Sequence, residues 1–237
     1  MNDNKRKKIL LIVGVILTCV LVVGGTYAYL TFSVSVTNGK ISDSVECFEI
    51  DYSILNDASA TDSSQITGTL FPSAGPNGGL SGKVSINVNS NCKVKGTGTL
   101  YLNVDSGTST TLVQTVAAHC EDKTTLETMK DYTTSAECTA DSSRMWVSTG
   151  TGLKYAVYSN ANATGTPLNV GYITNSDIGR DISIYSDFDV VKTASSYYIF
   201  IWMDGYITDS TYTELPFGGY IHASVLQNEE EYKEDES

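Results

Sequence analysis

Few side chains in this chain have types and spacing that could do chemistry. There are two histidines, His119 and His222, far apart in the sequence. Zinc hydrolysis takes about three protein ligands and a general base, commonly two His one helical turn apart with a Glu between them. No HExxH occurs; His119 adjoins Cys120, and His222 sits between Ile221 and Ala223. These read as a loop residue held near a disulfide and a residue on a sheet surface. Serines abound, but no G-x-S-x-G elbow marks a nucleophile. Asp177, Asp181, Asp187 and Asp189 would attract Ca²⁺ if their loops converged. They lack EF-hand spacing and its central Gly, so a solvated acidic loop is the better reading. Leu215-Pro216-Phe217-Gly218-Gly219 superficially matches a cell-wall sorting signal, yet it has Gly where that motif needs Thr and no apolar tail follows. No catalytic residue, metal site or cofactor is assigned from these patterns.

The cysteines are more informative. Cys19 lies in an apolar run and reads as a small residue in lipid. Cys47, Cys92, Cys120 and Cys138 remain. In an exported chain an even number predicts disulfides, each worth about 2–4 kcal/mol. Four cysteines allow three pairings, and spacing alone does not choose among them. The preferred arrangement has Cys120–Cys138 closing a polar excursion and Cys47–Cys92 tying two strands. The spacings do not resemble a CxxC…CxxC zinc site.

The N-terminus places those cysteines outside the cell. Lys5-Arg6-Lys7-Lys8 is followed by no charge from Ile9 to Gly39, the pattern of a segment that enters a membrane with its N-terminus in the cytoplasm. Ile9 to Val23 has the length of a signal-peptide core; continued to Leu30, the run is long enough to span as a tilted helix. Thr26 and Ala28 supply the small residues for a cut before Tyr29. Cleavage is favoured over retention as a signal anchor.

Without residues 1–28 the chain keeps 11 Lys and Arg against 26 Asp and Glu, a net charge of −15 over 209 residues. Such a chain repels nucleic acid and anionic lipid, so neither is an expected partner of the exported part. Only 18% of residues are charged, while Tyr alone numbers 15, which argues for strands over helices.

The elements follow from alternation. Leu30, Phe32, Val34 and Val36 alternate with polar residues just past the expected cut, ahead of an Asn38-Gly39 turn. Val45 to Ile54 is a second strand, Asn56 to Thr67 a polar loop and Pro72 to Gly82 a long connection. Val84–Val88 and Leu100–Val104 read as antiparallel neighbours. Residues 107–144 are Thr- and Ser-rich, with a helical pattern around Leu112 to Met129, and read as an insertion capped by a disulfide. Strands resume at 145–147, 153–158, 168–173 and 182–185. Tyr197 to Met203 is the most apolar run outside the membrane segment and predicts a central, doubly buried strand. Tyr220 to Leu226 is the last strand. The expectation is an all-β, antiparallel β-sandwich of jelly-roll type behind an N-terminal membrane or signal helix. Residues 1–28 would be signal or anchor (membrane helix about 9–30), 29–227 the extracellular domain and 228–237 a disordered acidic tail.

Gly24-Gly25-Thr26-Tyr27-Ala28 after a Lys-rich apolar segment, with Ile221-His222-Ala223-Ser224-Val225-Leu226-Gln227 ahead of a charged tail, resembles the TasA/camelysin family of exported Gram-positive surface and biofilm-matrix proteins. The resemblance covers the signal, the two ends and the length. The chain has Pro72-Ser73-Ala74-Gly75 where that family has a Pro-Gly-acidic turn, and it carries four exported cysteines that the family generally lacks. The resemblance implies a jelly roll and fibre assembly by donor-strand exchange. It also implies partners that are further copies or other matrix proteins, and processing by a dedicated signal peptidase. The donor would be the strand carrying Leu30, Phe32, Val34 and Val36, freed by the cut before Tyr29. The alternative is a membrane-held monomeric module binding a glycan or host protein. A camelysin-like metalloprotease is disfavoured by the missing ligand set.

Overall fold

The computed structural model describes residues 47–55, 64–90, 94–148, 150–191, 193–206 and 215–231. The signal segment 1–28, the cut residues Thr26, Ala28 and Tyr29, the donor residues Leu30, Phe32, Val34 and Val36, and Cys92 lie outside the described residues, as do 232–237. No helix among the described residues is long and apolar enough to cross a membrane.

The described chain is all-β and almost wholly antiparallel. Sheet A runs, in spatial order, β1 (Phe48–Ile54), β4 (Leu80–Val88), β13 (Ser195–Asp204), β10 (Leu153–Tyr158) and β11 (Asn169–Tyr172). A two-residue strand, β3 (Pro72–Ser73), adds in parallel to the end of β13. Sheet B runs β12 (Arg180–Val190), β5 (Val94–Val104), β14 (Leu215–Glu231) and β2 (Gln65–Leu70). Two small ribbons complete the set: β6 (Thr115–Val116) with β9 (Gly150–Thr151), and β7 (His119–Asp122) with β8 (Arg144–Val147).

The two sheets form a sandwich-like pair around one apolar core. Side chains alternate along a strand, so every second residue faces it. From β5 these are Leu100, Leu102 and Val104; from β14, Phe217, Ile221, Ala223 and Val225; from β4, Val84 and Ile86; from β13, Ile199, Ile201 and Met203. Each of these side chains except Ala223 contributes about 1.5–3 kcal/mol on burial. The long apolar run 197–203 is the central strand of sheet A, as its composition requires. Tyr197 joins the main core as well, while Phe200 and Trp202, with Tyr198 partly buried beside them, belong to a second apolar cluster with Ala156, Tyr158, Leu126 and Ala163. This second core lies on the outer face of sheet A, where the insertion contributes Leu126.

Val84–Val88 and Leu100–Val104, expected as antiparallel neighbours, lie in different sheets and face each other across the core, and several boundaries also differ from the sequence expectation. The helical pattern over 112–129 is not a helix: Thr110–Val113 forms a 3-10 turn, followed by β6 and β7. Its β-branched Thr and Val residues favour extended backbone, and Leu112 and Val113 are buried without a helix. The described helix, α1 (Ser135–Thr139), comes later, started by a capping box between Thr134 and Glu137. β2 begins at Gln65, inside the expected polar loop 56–67, because Ile66 and Leu70 reach the core from among Thr and Gly. The strand expected at 182–185 runs from Arg180 to Val190, so Asp181, Asp187 and Asp189 sit on a strand rather than in a solvated loop. Ile184, Phe188 and Val190 are buried while its acids face outward, and register shifts flank Tyr185, with Asp187 left-handed at φ 57°. β14 continues to Glu231, where it pairs with Val94, past the expected domain end at 227.

Candidate functional site

Alternation on three strands builds a polar site inside the second core. On β10, Leu153, Tyr155 and Val157 face the main core, so Lys154 faces outward with Ala156 and Tyr158. On β13, Asp204 follows Phe200 and Trp202 on that same outer side. On β7, His119 and Glu121 flank Cys120 and so share one side of the ribbon. The ribbon is tied down from its other side by the Cys120–Cys138 disulfide, with Cα atoms 5.6 Å apart, which links β7 to α1. Gly79 lets the turn after β3 press on β13; a Cβ there would stand 2.1 Å from the Ile201 carbonyl oxygen.

His119, Glu121, Lys154 and Asp204 are 3%, 0%, 1% and 1% exposed, an unusual depth for four ionisable groups. Nε2 of His119 lies 2.7 Å from Glu121 Oε1 and 3.1 Å from Asp204 Oδ2. The Lys154 ammonium contacts Glu121 Oε1 and lies 3.5 Å from Asp204 Oδ2. Nδ1 of His119 is 2.8 Å from the Ala117 carbonyl oxygen, so with both ring nitrogens donating the imidazole is a cation. Asp204 Oδ1 accepts from the Tyr206 backbone N–H at 2.7 Å and the Thr128 hydroxyl at 3.1 Å. Thr128 is brought there by a turn that Asp122 organises, accepting from the Thr124 and Thr125 amides at 2.8 Å. In that turn Leu126 takes a left-handed backbone (φ 57°) and fills the second core.

The electrostatics balance internally. Burial alone would lower the pKa of His119, but hydrogen bonds to Asp204, Glu121 and the Ala117 carbonyl outweigh it and raise it to about 10. Burial would raise Asp204, yet the His119 hydrogen bond, the Lys154 charge and the Tyr206 amide bring it down to about 2. Two carboxylates therefore face two cations, with no net charge buried. Aromatic rings close the site. Tyr206 stacks on His119 at 4.9 Å, and Trp202 and Tyr172 lie 5.4 and 5.6 Å from Lys154 Nζ. The Tyr172 phenol is pushed up by burial first, then by the Glu121 and Asp204 charges. Glu121 Oε2 has no hydrogen-bond partner among the described residues.

No family model, curated protein or solved structure matches the chain. The site therefore has to be read from its own geometry. His119, Glu121 and Asp204 offer three ligand atoms within 4.8 Å of one another, a donor set suited to a small cation. The Lys154 ammonium already stands among the same oxygens, so a metal ion would have to displace it.

Among the residues singled out by sequence, Cys120 and Cys138 are joined as preferred, and Cys47 is disulfide-bonded. His119 is not a loop residue; it opens β7 and is buried. His222 lies elsewhere, on the outer face of sheet B, stacked on Tyr101 at 4.9 Å and 3.3 Å from Asp181. The two histidines are not brought together. The four aspartates do not converge: Asp177 caps a turn through Thr174, Asp181 accepts from Asn103, and Asp187 and Asp189 line β12. Lys154, Glu121 and Asp204 were missed. A signal existed for two of them: Lys154 interrupts the apolar stretch Leu153–Tyr158, and Asp204 directly follows the most apolar run.

Proposed function

We propose that this chain is an exported structural protein of the cell surface, related to the TasA/camelysin class, whose subunits assemble by strand addition. The strand order supports a jelly roll. Sheet B runs β12-β5-β14-β2 and sheet A β4-β13-β10-β11, each interleaving early strands with late ones, with β1 as an added edge. The disulfides and acidic composition suit an extracellular location.

One observation carries the assembly reading. β2 covers one side of β14 only from Leu215 to Tyr220. The Ile221 N–H then reaches Ser64 O, and the Ala223 N–H is taken by the Tyr52 hydroxyl at 3.1 Å rather than by a strand. Backbone groups alternate sides along a strand, so Val225 and Gln227 point theirs the same way, where no described strand pairs. The occupant we assign to this slot is residues 29–36 of a neighbouring copy. Leu30, Phe32, Val34 and Val36 alternate as an added strand requires and would continue the apolar layer behind Val225. Release of Tyr29 by signal cleavage would license assembly.

Deleting residues 29–37 tests this. Electron microscopy of the secreted protein is expected to show polymers for the intact mature chain and none for the deletion; unchanged polymers would sink the idea. A second reading, a membrane-held monomer binding a glycan or host protein, is favoured by the aromatic row Tyr101, His222 and Tyr220 on the open face of sheet B. A monomeric extracellular form that retains Lys5 to Lys8 would select it.

A further inference from the structure

We propose that Glu121 and Lys154 are joined by an intramolecular isopeptide bond, formed within the folded chain by the pair Asp204 and His119. The reacting atoms are already assembled. Lys154 Nζ contacts the Glu121 carboxylate, and both groups are fully enclosed. Such contact replaces a bimolecular encounter by an intramolecular one, an advantage reaching effective molarities of about 10⁵ M or more.

Each step has a group in place. Asp204 Oδ2, 3.5 Å from Nζ, takes a proton from the ammonium and leaves a nucleophilic amine. Nζ then bonds to Cδ of Glu121. His119 Nε2, 2.7 Å from Oε1, donates its proton to that oxygen as the Cδ–Oε1 bond breaks. Asp204, 3.1 Å from Nε2, returns its proton to His119, and the second proton lost by the nitrogen follows the same route. Lys154 and Glu121 thus become an amide and one water. Both protons of that water come from the ammonium, and no oxidant or activated donor is required. Asp204 and His119 end as they began.

The surroundings favour the product. Trp202 and Tyr172 shield Nζ from water, where an ionised pair is costly and a neutral amide is not. Amide formation removes one positive and one negative charge together, so the remaining Asp204–His119 pair stays balanced. Glu121 Oε2, which has no hydrogen-bond partner among the described residues, becomes a neutral carbonyl oxygen, a cheaper group to leave unpaired than a carboxylate oxygen. The bond would tie β7 of the insertion to β10 of sheet A.

Intact-mass measurement of the purified mature chain, denatured and with disulfides reduced, decides the matter. The expected mass is one water below that of the sequence, with a branched tryptic peptide joining the segments of Glu121 and Lys154. Glu121→Gln is expected to give a product of the same mass as wild type, since ammonia leaves in place of water, whereas Lys154→Met keeps its full mass. Asp204→Ala is expected to leave most of the folded chain uncross-linked. A wild-type chain of full mass that trypsin cuts after Lys154 would overturn the proposal. So would a native mass carrying one metal ion per chain with Lys154 free.

Discussion

Sheets A and B are built on the same alternation, yet the outer face of sheet A is roofed over β10 and the end of β13 while that of sheet B is open. On sheet A the outward residues Lys154, Ala156 and Tyr158 of β10 and Phe200, Trp202 and Asp204 at the end of β13 are all buried, with Leu126 of the insertion packed among them. On sheet B the outward residues of β5 and β14 include Tyr101, Asn103, Tyr220, His222 and Leu226, all at least partly exposed. The difference lies in what a charged side chain costs. A polar contact on the open face, such as His222 with Asp181, keeps much of its water and is worth little. The same kind of group under the roof must find every partner inside the protein. The covered face should therefore react strongly to single changes that the open face absorbs.

The largest effect is expected from Lys154→Met, which leaves two buried carboxylates with His119 as their one cation. Chemical denaturation should show a loss of about 3–5 kcal/mol. Replacing Glu121 as well, in Lys154→Met with Glu121→Leu, should recover part of that loss; no recovery would mean that packing rather than charge dominates. Next comes removal of the Cys120–Cys138 bridge by paired Ser substitution, expected to cost about 2–4 kcal/mol and to loosen β7, read as faster proteolysis within the insertion.

The pH dependence is smaller and has a definite sign. Asp204 is shifted below its ordinary value, so its contribution is complete above about pH 4 and is lost as pH falls through about 2. His119 is shifted upward, so its contribution is complete below about pH 6.5 and is lost as pH rises through about 10. Denaturation midpoints should therefore be highest between those limits and fall on both sides. The smallest effect is expected from His222→Ala, within about 0.5 kcal/mol, because its partners are solvated. A cost as large as that of Lys154→Met would break the contrast between the two faces.

The sequence made one side of this contrast readable. Leu100-Leu102-Val104 and Ile221-Ala223-Val225 announce strands because their apolar residues recur at every second position, and the main core follows directly. The run Tyr197 to Met203 announced burial on both faces, and the structure supplies both cores. Of the three pairings the sequence left open, the preferred Cys120–Cys138, bracketing one polar excursion, is formed. The ionic site was not legible, because its members come from residues 119–121, 154 and 204 and meet only when the insertion folds back on sheet A. Periodicity describes one strand at a time and cannot report which loop covers its far side. β2 escaped notice for a related reason: Thr and Gly between Ile66 and Leu70 dilute its alternation.

Open backbone is what the assembly account needs on sheet B, and amide hydrogen exchange reads it residue by residue. The account predicts that the Val225 and Gln227 amides exchange rapidly in the isolated subunit and become protected in the polymer, while the Leu102 amide at the sheet's centre is protected in both. Equal protection of Val225 and Gln227 in the dilute monomer and in the polymer would contradict it.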